Sequence, residues 1–194
     1  MSDEDRPFVL PIVLVGPMAA GKSTLSRALS ARLGLPYAPL DWVGFHAMVL
    51  DGLNVRAYEA EKDWAAQHRL RLPHVLAAAE AAVRDFQGFV LDFGAGHAHF
   101  EAPAEVERIE AALGPLPNVF RVTPAADPEE AIRLSLARDQ ARWAEAGQTW
   151  DESRRPWVST YVRSETIRRV AKHTIVTSDR DVEDCVDEMV ALLR

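Results

Sequence analysis

The run IVLVGPMAAGKSTLSRAL, residues 12–29, constrains the fold of this chain more than any other stretch. Four apolar residues, Ile12 to Val15, lead into Gly16, and apolar residues at helical spacing resume after Thr24. Between them, Gly16-Pro17-Met18-Ala19-Ala20-Gly21-Lys22-Ser23 fills the pattern G-x-x-x-x-G-K-[ST]. The spacing has a physical cause. A chain that wraps a phosphate must turn several backbone N–H groups inward, and glycines permit the tight backbone and the close approach. A helix opening near Gly21 points the positive end of its dipole at the anion. Lys22 then reaches the β- and γ-phosphates, and the Ser23 hydroxyl binds Mg²⁺. The expected binding residues for ATP or GTP are Gly16, Ala19, Ala20, Gly21, Lys22, Ser23 and Thr24. The competing explanation is a plain strand–turn–helix corner with an accidental lysine. The strand before the loop and the helix after it favour the nucleotide site.

The rest of the chain continues the alternation. Strand-like runs recur at 11–16, 35–41, 88–94, 118–124 and 173–178, and helical pattern fills 56–86, 103–113, 127–146 and 181–193. Strand alternating with helix predicts a parallel sheet of about five strands covered on both faces, a three-layer αβα domain. The 194 residues suffice for one such domain with its own core. No apolar run approaches the ~20 residues of a membrane span, and the acidic start MSDEDRP lacks the basic region of a secretory leader. The single cysteine, Cys185, excludes an intrachain disulfide and a cysteine metal cluster, so a cytoplasmic location is expected. Cys185 lies beside the stripe Val182, Val186, Met189, Val190 and Leu193 and reads as core filler.

Ligands in doubly covered parallel sheets sit at the C-terminal strand ends, where Gly16, Asp41, Asp92 and Thr123 all fall. Asp92 closes the apolar run Phe89-Val90-Leu91, the place for a carboxylate that holds Mg²⁺ or orients a nucleophile. Gly94 and Gly96 let backbone approach a ligand closely. His97 and His99 are either donors to a substrate or pocket-lining side chains. Asp41 is either a proton acceptor for an attacking hydroxyl or the N-cap of a helix beginning at Trp42.

Net charge is −7, which argues against broad nucleic-acid binding. Yet residues 133–172 hold nine Arg or Lys against five Asp or Glu. Such a segment is either a flap that closes on a local anion or a solvated helix surface. Arg138 and Arg142 are the candidates to meet phosphates. They could equally pair with Asp139 and Glu145.

The stretch GPMAAGKSTLSRALSARLGLPYAPLD resembles the N-terminal third of the shikimate kinases and related small-molecule kinases. The closing VRSETIRRVAKHTIVTSDRDVEDCVDEMVALL looks like their last helix, strand and helix, and VLDFGAGH stands where they carry a triple-glycine substrate loop. The resemblance implies a three-layer P-loop kinase fold of the nucleoside-monophosphate-kinase type, with a helical lid that closes over ATP and a hydroxyl acceptor. Three departures point away from shikimate. Pro39 replaces the first aspartate of the family's DxD, leaving Asp41. Ala95 replaces the middle glycine. Only Arg69 or Arg71 can answer the family's substrate arginine.

Five tryptophans occur in the chain, with Trp143, Trp150 and Trp157 in the candidate lid and Trp42 directly after Asp41. They either anchor the lid or meet a flat acceptor. The expectation is therefore a Mg²⁺-dependent phosphotransferase. Lys22, Asp41, Asp92 and Arg138 are its catalytic candidates. Asp41, Trp42, Arg71, Gly94, Gly96 and His97 are its acceptor site, and Ser23 and Asp92 its metal site. The acceptor would be nucleoside-like or another natural product, including an antibiotic inactivated by phosphorylation. Shikimate kinase proper is one alternative. A nucleotide-dependent switch or binding module without an acceptor is the other, although no guanine-reading NKxD or TKxD is present.

Overall fold

Strand β1 (Ile12–Val15) is buried throughout, as an uninterrupted apolar run predicts for the centre of a parallel sheet. It pairs in parallel with β3 (Val90–Asp92) on one side and β4 (Val119–Thr123) on the other. The edges are β2 (Tyr37–Pro39) beside β3 and β5 (His173–Val176) beside β4, giving the order β2-β3-β1-β4-β5. All five strands lie where the sequence pattern put them. The computed structural model describes residues 8–61 and 63–194; the acidic segment 1–7 lies outside them.

Alternate side chains feed two cores. Ile12, Leu14, Phe120, Val122 and Ile175 pack under α1 (Lys22–Leu33) and α9 (Val182–Leu192), with Cys185 buried among them as filler. Val13, Val15, Leu91, Phe93 and Val119 face the other way. Over them lie α2 (Leu40–Leu50), α4 (Trp64–Asp85), α5 (Pro103–Leu113) and α8 (Glu165–Val170). The fold is thus a three-layer αβα sandwich. Helix α3 (Val55–Ala60) precedes α4; α6 (Pro128–Glu145) and α7 (Arg155–Val162) form the excursion before α8. Among the described residues, no helix is long and apolar enough to cross a membrane.

Two helix expectations need correction. The stretch 56–86 is two helices, because Asn54 and Asp63 each cap a new start by accepting from the N–H of Ala57 and Ala66. The helix after β2 begins at Leu40 rather than Trp42. Pro39 sets the extended entry and Leu40 is fully buried, so Asp41 falls inside the first turn and makes no cap hydrogen bond. The capping role for Asp41 is thereby removed.

Candidate active site

The C-terminal strand ends open on a cavity of about 540 Å³. The glycine-rich loop forms one end of it. Within that loop Ala19 and Gly21 take positive φ, 55° and 98°, a curl that makes a backbone concavity suited to an anion. Gly16 does not line the cavity. It has φ 141°, and a Cβ there would lie 2.1 Å from the Val122 carbonyl oxygen, so glycine is needed to seat the loop against β4. Lys22 is buried and donates to the Pro17 carbonyl at 2.7 Å. Burial lowers its pKa, and the nearby charges of Asp92 and Asp41 oppose that shift. Both carboxylates therefore act on one ammonium group from across the cavity.

Asp92 is fixed from β2: the Tyr37 hydroxyl donates to its Oδ2 at 2.9 Å. Burial and the Asp92 charge push the Tyr37 pKa up to about 12, with Arg27 and the Ser23 hydroxyl pulling the other way. Ser23 and Asp92 thus flank one hydroxyl at the cavity wall. Two hard oxygen donors beside a phosphate cradle suit Mg²⁺, which takes one or two protein ligands and completes its shell with water and phosphate oxygens. Among the described residues, no cluster of three His, Cys, Asp or Glu side chains could hold a metal ion.

Asp41, Arg71, Gly94 and Gly96 also line the cavity. A Cβ on Gly94 would sit 2.2 Å from Asp41 Oδ1 and 2.6 Å from His97 Nδ1. Glycine at this position is what allows the carboxylate to lie over the loop backbone. Gly94→Ala should displace Asp41 and cut acceptor-dependent turnover by about tenfold or more, with nucleotide affinity unchanged in a direct binding titration. Turnover equal to wild type would refute the fit.

Arg71 Nη2 lies 3.4 Å from His68 Nδ1, and His68 Nε2 lies 3.0 Å from the Tyr161 hydroxyl. Burial holds the His68 pKa down to about 3, helped by Arg71, so the ring is neutral. Arginine can only donate, so Nδ1 accepts and Nε2–H donates to the Tyr161 oxygen. Arg71 is thereby backed from α7. Arg69, the other arginine considered, points to solvent beside Asp63 and is outside the cavity. Trp42 is 79% exposed and does not line the cavity. His97 is buried beneath it, and His99 pairs with Ser164 at 2.8 Å.

Solved structures share this arrangement of layers. The chain superposes on a shikimate kinase from Acinetobacter baumannii in complex with shikimate, with a TM-score of 0.64 and 21% identity, over 93% of this chain and 90% of that one. A gluconokinase from Sinorhizobium meliloti 1021 matches with a TM-score of 0.56 and 15% identity, over 96% and 93%. A shikimate kinase from Bacteroides thetaiotaomicron gives 0.54 and 21%, over 93% and 96%. The chain has the P-loop small-molecule kinase fold. No protein-family model matches the sequence, and no curated protein matches it.

The excursion expected from sequence to form a lid is tied down at two points. Arg138 Nη1 donates to Thr177 Oγ1 at 3.0 Å, and that hydroxyl donates to the Ala20 carbonyl at 3.1 Å. Of the second tie, only the pairing of Arg142 with Asp139 was among those the sequence offered. Asp139 is fully buried and accepts from Arg154 Nε at 2.9 Å, Trp150 Nε1 at 2.8 Å and Arg142 Nη2 at 3.1 Å. Arg154 itself lines the cavity and touches Met18 Sδ at 3.4 Å. The basic segment therefore divides. Arg138, Arg142 and Arg154 face the cavity, while Arg133, Arg155, Arg163, Arg168 and Arg169 pair with surface glutamates. The lid tryptophans also have partners: Trp143 lies under Arg154, Trp150 under Arg155, and Trp157 against His68.

Burial alone would raise the Asp139 pKa, but hydrogen bonds from Arg154 and Trp150 and the charges of Arg154 and Arg142 hold it below the usual carboxylate range. A carboxyl that titrates below its unfolded value stabilises the fold above about pH 4, and the effect is lost as pH falls through the native titration. Asp139→Asn should cost about 2 kcal/mol, or about 5 °C in Tm, and open 146–151 to limited proteolysis. An unchanged Tm would show that this buried knot does not hold the lid.

Proposed function

We propose that this protein is a Mg²⁺-dependent phosphotransferase that moves the γ-phosphoryl group of ATP or GTP to a hydroxyl of a small molecule. One observation carries the reading: Lys22, Asp92 and Asp41 converge on one cavity between the GKS loop and the Gly94–Gly96 loop. The acceptor oxygen bonds to the γ-phosphorus, the bond from that phosphorus to the β–γ bridging oxygen breaks, and the hydroxyl proton passes to the Asp41 carboxylate. Lys22 neutralises charge on the β- and γ-oxygens. Arg138, Arg142 and Arg154 close on the phosphates from the lid. Ser23 and Asp92 would hold Mg²⁺, which when bound neutralises further phosphate charge.

The acceptor is a hydroxylated natural product or a nucleoside, and one outcome of such chemistry is inactivation of an antibiotic. Pro39 and Ala95 stand where shikimate kinases keep an aspartate and a glycine, which argues against shikimate. Trp143, Trp150 and Trp157 pack against protein groups and Trp42 lies outside the cavity, so none of these four indoles supports an aromatic acceptor.

A mass-resolved transfer screen tests the reading. The chain, Mg²⁺ and ATP or GTP are incubated with shikimate, gluconate, nucleosides and hydroxylated antibiotics, and products are read for one added phosphoryl group. A phosphorylated nucleoside or antibiotic supports the assignment. Product with shikimate alone would return the chain to that activity. Tight nucleotide binding with no product across the panel would favour a binding module.

A further inference from the structure

His97 is a buried polar side chain that the chemistry above does not use. It is 1% exposed, and neither ring nitrogen has a hydrogen-bond partner of normal geometry, although the Gly94 backbone beside the ring favours its protonated form. Buried polar groups are nearly always paired, because leaving one unsatisfied is costly. The position of the ring suggests what it is for. The His97 backbone N–H closes a turn onto the Gly94 carbonyl at 2.9 Å. That turn brings Nδ1 to 4.0 Å from Asp41 Oδ1, the two atoms leaning over the same bare Gly94 Cα.

The other nitrogen faces apolar surroundings. Nε2 lies 3.4 Å from the point a Gly44 Cβ would occupy, a space bordered by Ala78 Cβ and Leu40 Cγ. The charged and titratable groups around the ring are Asp41 from α2, Arg71 and His68 from α4, and Asp92 at the end of β3. Burial lowers the His97 pKa to about 4 against the pull of Asp41, so at pH 7 the ring is neutral with one N–H and one lone pair. A buried N–H without an acceptor is rarer in folded proteins than an unpaired acceptor. The proton therefore belongs on Nδ1, toward the carboxylate, and the lone pair on Nε2, toward Gly44.

Resting on the phosphotransferase reading, we infer that His97 is a positioning residue for Asp41: its Nδ1–H, held across Gly94, orients one carboxylate oxygen and leaves the other turned to the acceptor hydroxyl. One bridging water, or a small inward swing of the exposed Asp41 side chain, closes the 4.0 Å gap.

The first test needs neither nucleotide nor acceptor. Imidazole ¹⁵N NMR of the full chain at pH 7 should show His97 as the Nδ1–H tautomer. In Asp41→Asn, where an exposed side chain is replaced and the fold is not at risk, the His97 titration should move to lower pH, because the carboxylate that favours imidazolium is gone. An Nε2–H tautomer, or a His97 signal indifferent to Asp41→Asn, overturns the inference.

The second test uses an acceptor found by the screen. His97→Leu should lower kcat by about 10²-fold with the nucleotide KM unchanged. His97→Asn, whose amide nitrogen can take the Nδ1 position, should recover most of the loss. Equal losses in both variants would mark a packing residue only. The two ideas fail separately. An active kinase with an Nε2–H His97 removes the pairing alone, whereas a chain that transfers nothing but shows the Asp41-linked tautomer removes the kinase reading alone.

Discussion

Lys22→Ala is expected to lower phosphoryl transfer by about 10³-fold while the protein unfolds within a few degrees of wild type. Both halves follow from the surroundings of the side chain. Lys22 is a buried cation whose one side-chain hydrogen bond goes to the Pro17 carbonyl, within its own loop. Burial already works against its charge, so removing it relieves a desolvation cost that offsets the lost attraction of Asp92 and Asp41. The transfer step would lose the only lysine among the described residues that line the cavity, the one the proposed mechanism places against the β- and γ-oxygens. Mass-resolved transfer, run beside thermal unfolding, reads the two effects separately. Turnover equal to wild type would end the phosphotransferase assignment, because no other residue of the glycine-rich loop carries a charge.

What could be read from sequence was whatever is local. The glycine-rich loop is eight consecutive residues and is legible from them alone, although what requires Gly16 is Val122 of β4. The five strands announced themselves as apolar runs, and Asp41 and Asp92 by following or closing two of them. What escaped was assembled from distant positions. Arg154 meets Met18 across 136 positions. It gave no signal in a segment rich in arginine: Arg133, Arg155 and Arg168 each have a glutamate three residues before them, but nothing local points Arg154 at the cavity. The Gly94 fit depends on a carboxylate from α2, and the single helix expected over 56–86 missed two caps. Trp143, Trp150 and Trp157 were ambiguous for the same reason. An indole in a polar stretch looks alike whether it covers a ligand or an arginine of its own lid.

Asp41→Asn should reduce turnover by about 10²–10⁴-fold with nucleotide binding and Tm retained. The structure makes this a clean experiment. Asp41 lies in the first turn of α2 without capping it, so the substitution removes no helix-terminal hydrogen bond. Its side chain is 65% exposed, so the amide meets no new buried environment. What the variant loses is the charged oxygen that the proposed mechanism uses to take the proton. A fall in kcat at constant nucleotide KM places the loss in the chemical step rather than in binding. A fall in Tm with specific activity preserved would instead return Asp41 to a structural role. Transfer would then need another base, and one oxygen of Asp92 already accepts from the Tyr37 hydroxyl. The assignment of proton transfer to Asp41 therefore stands or falls on this one substitution.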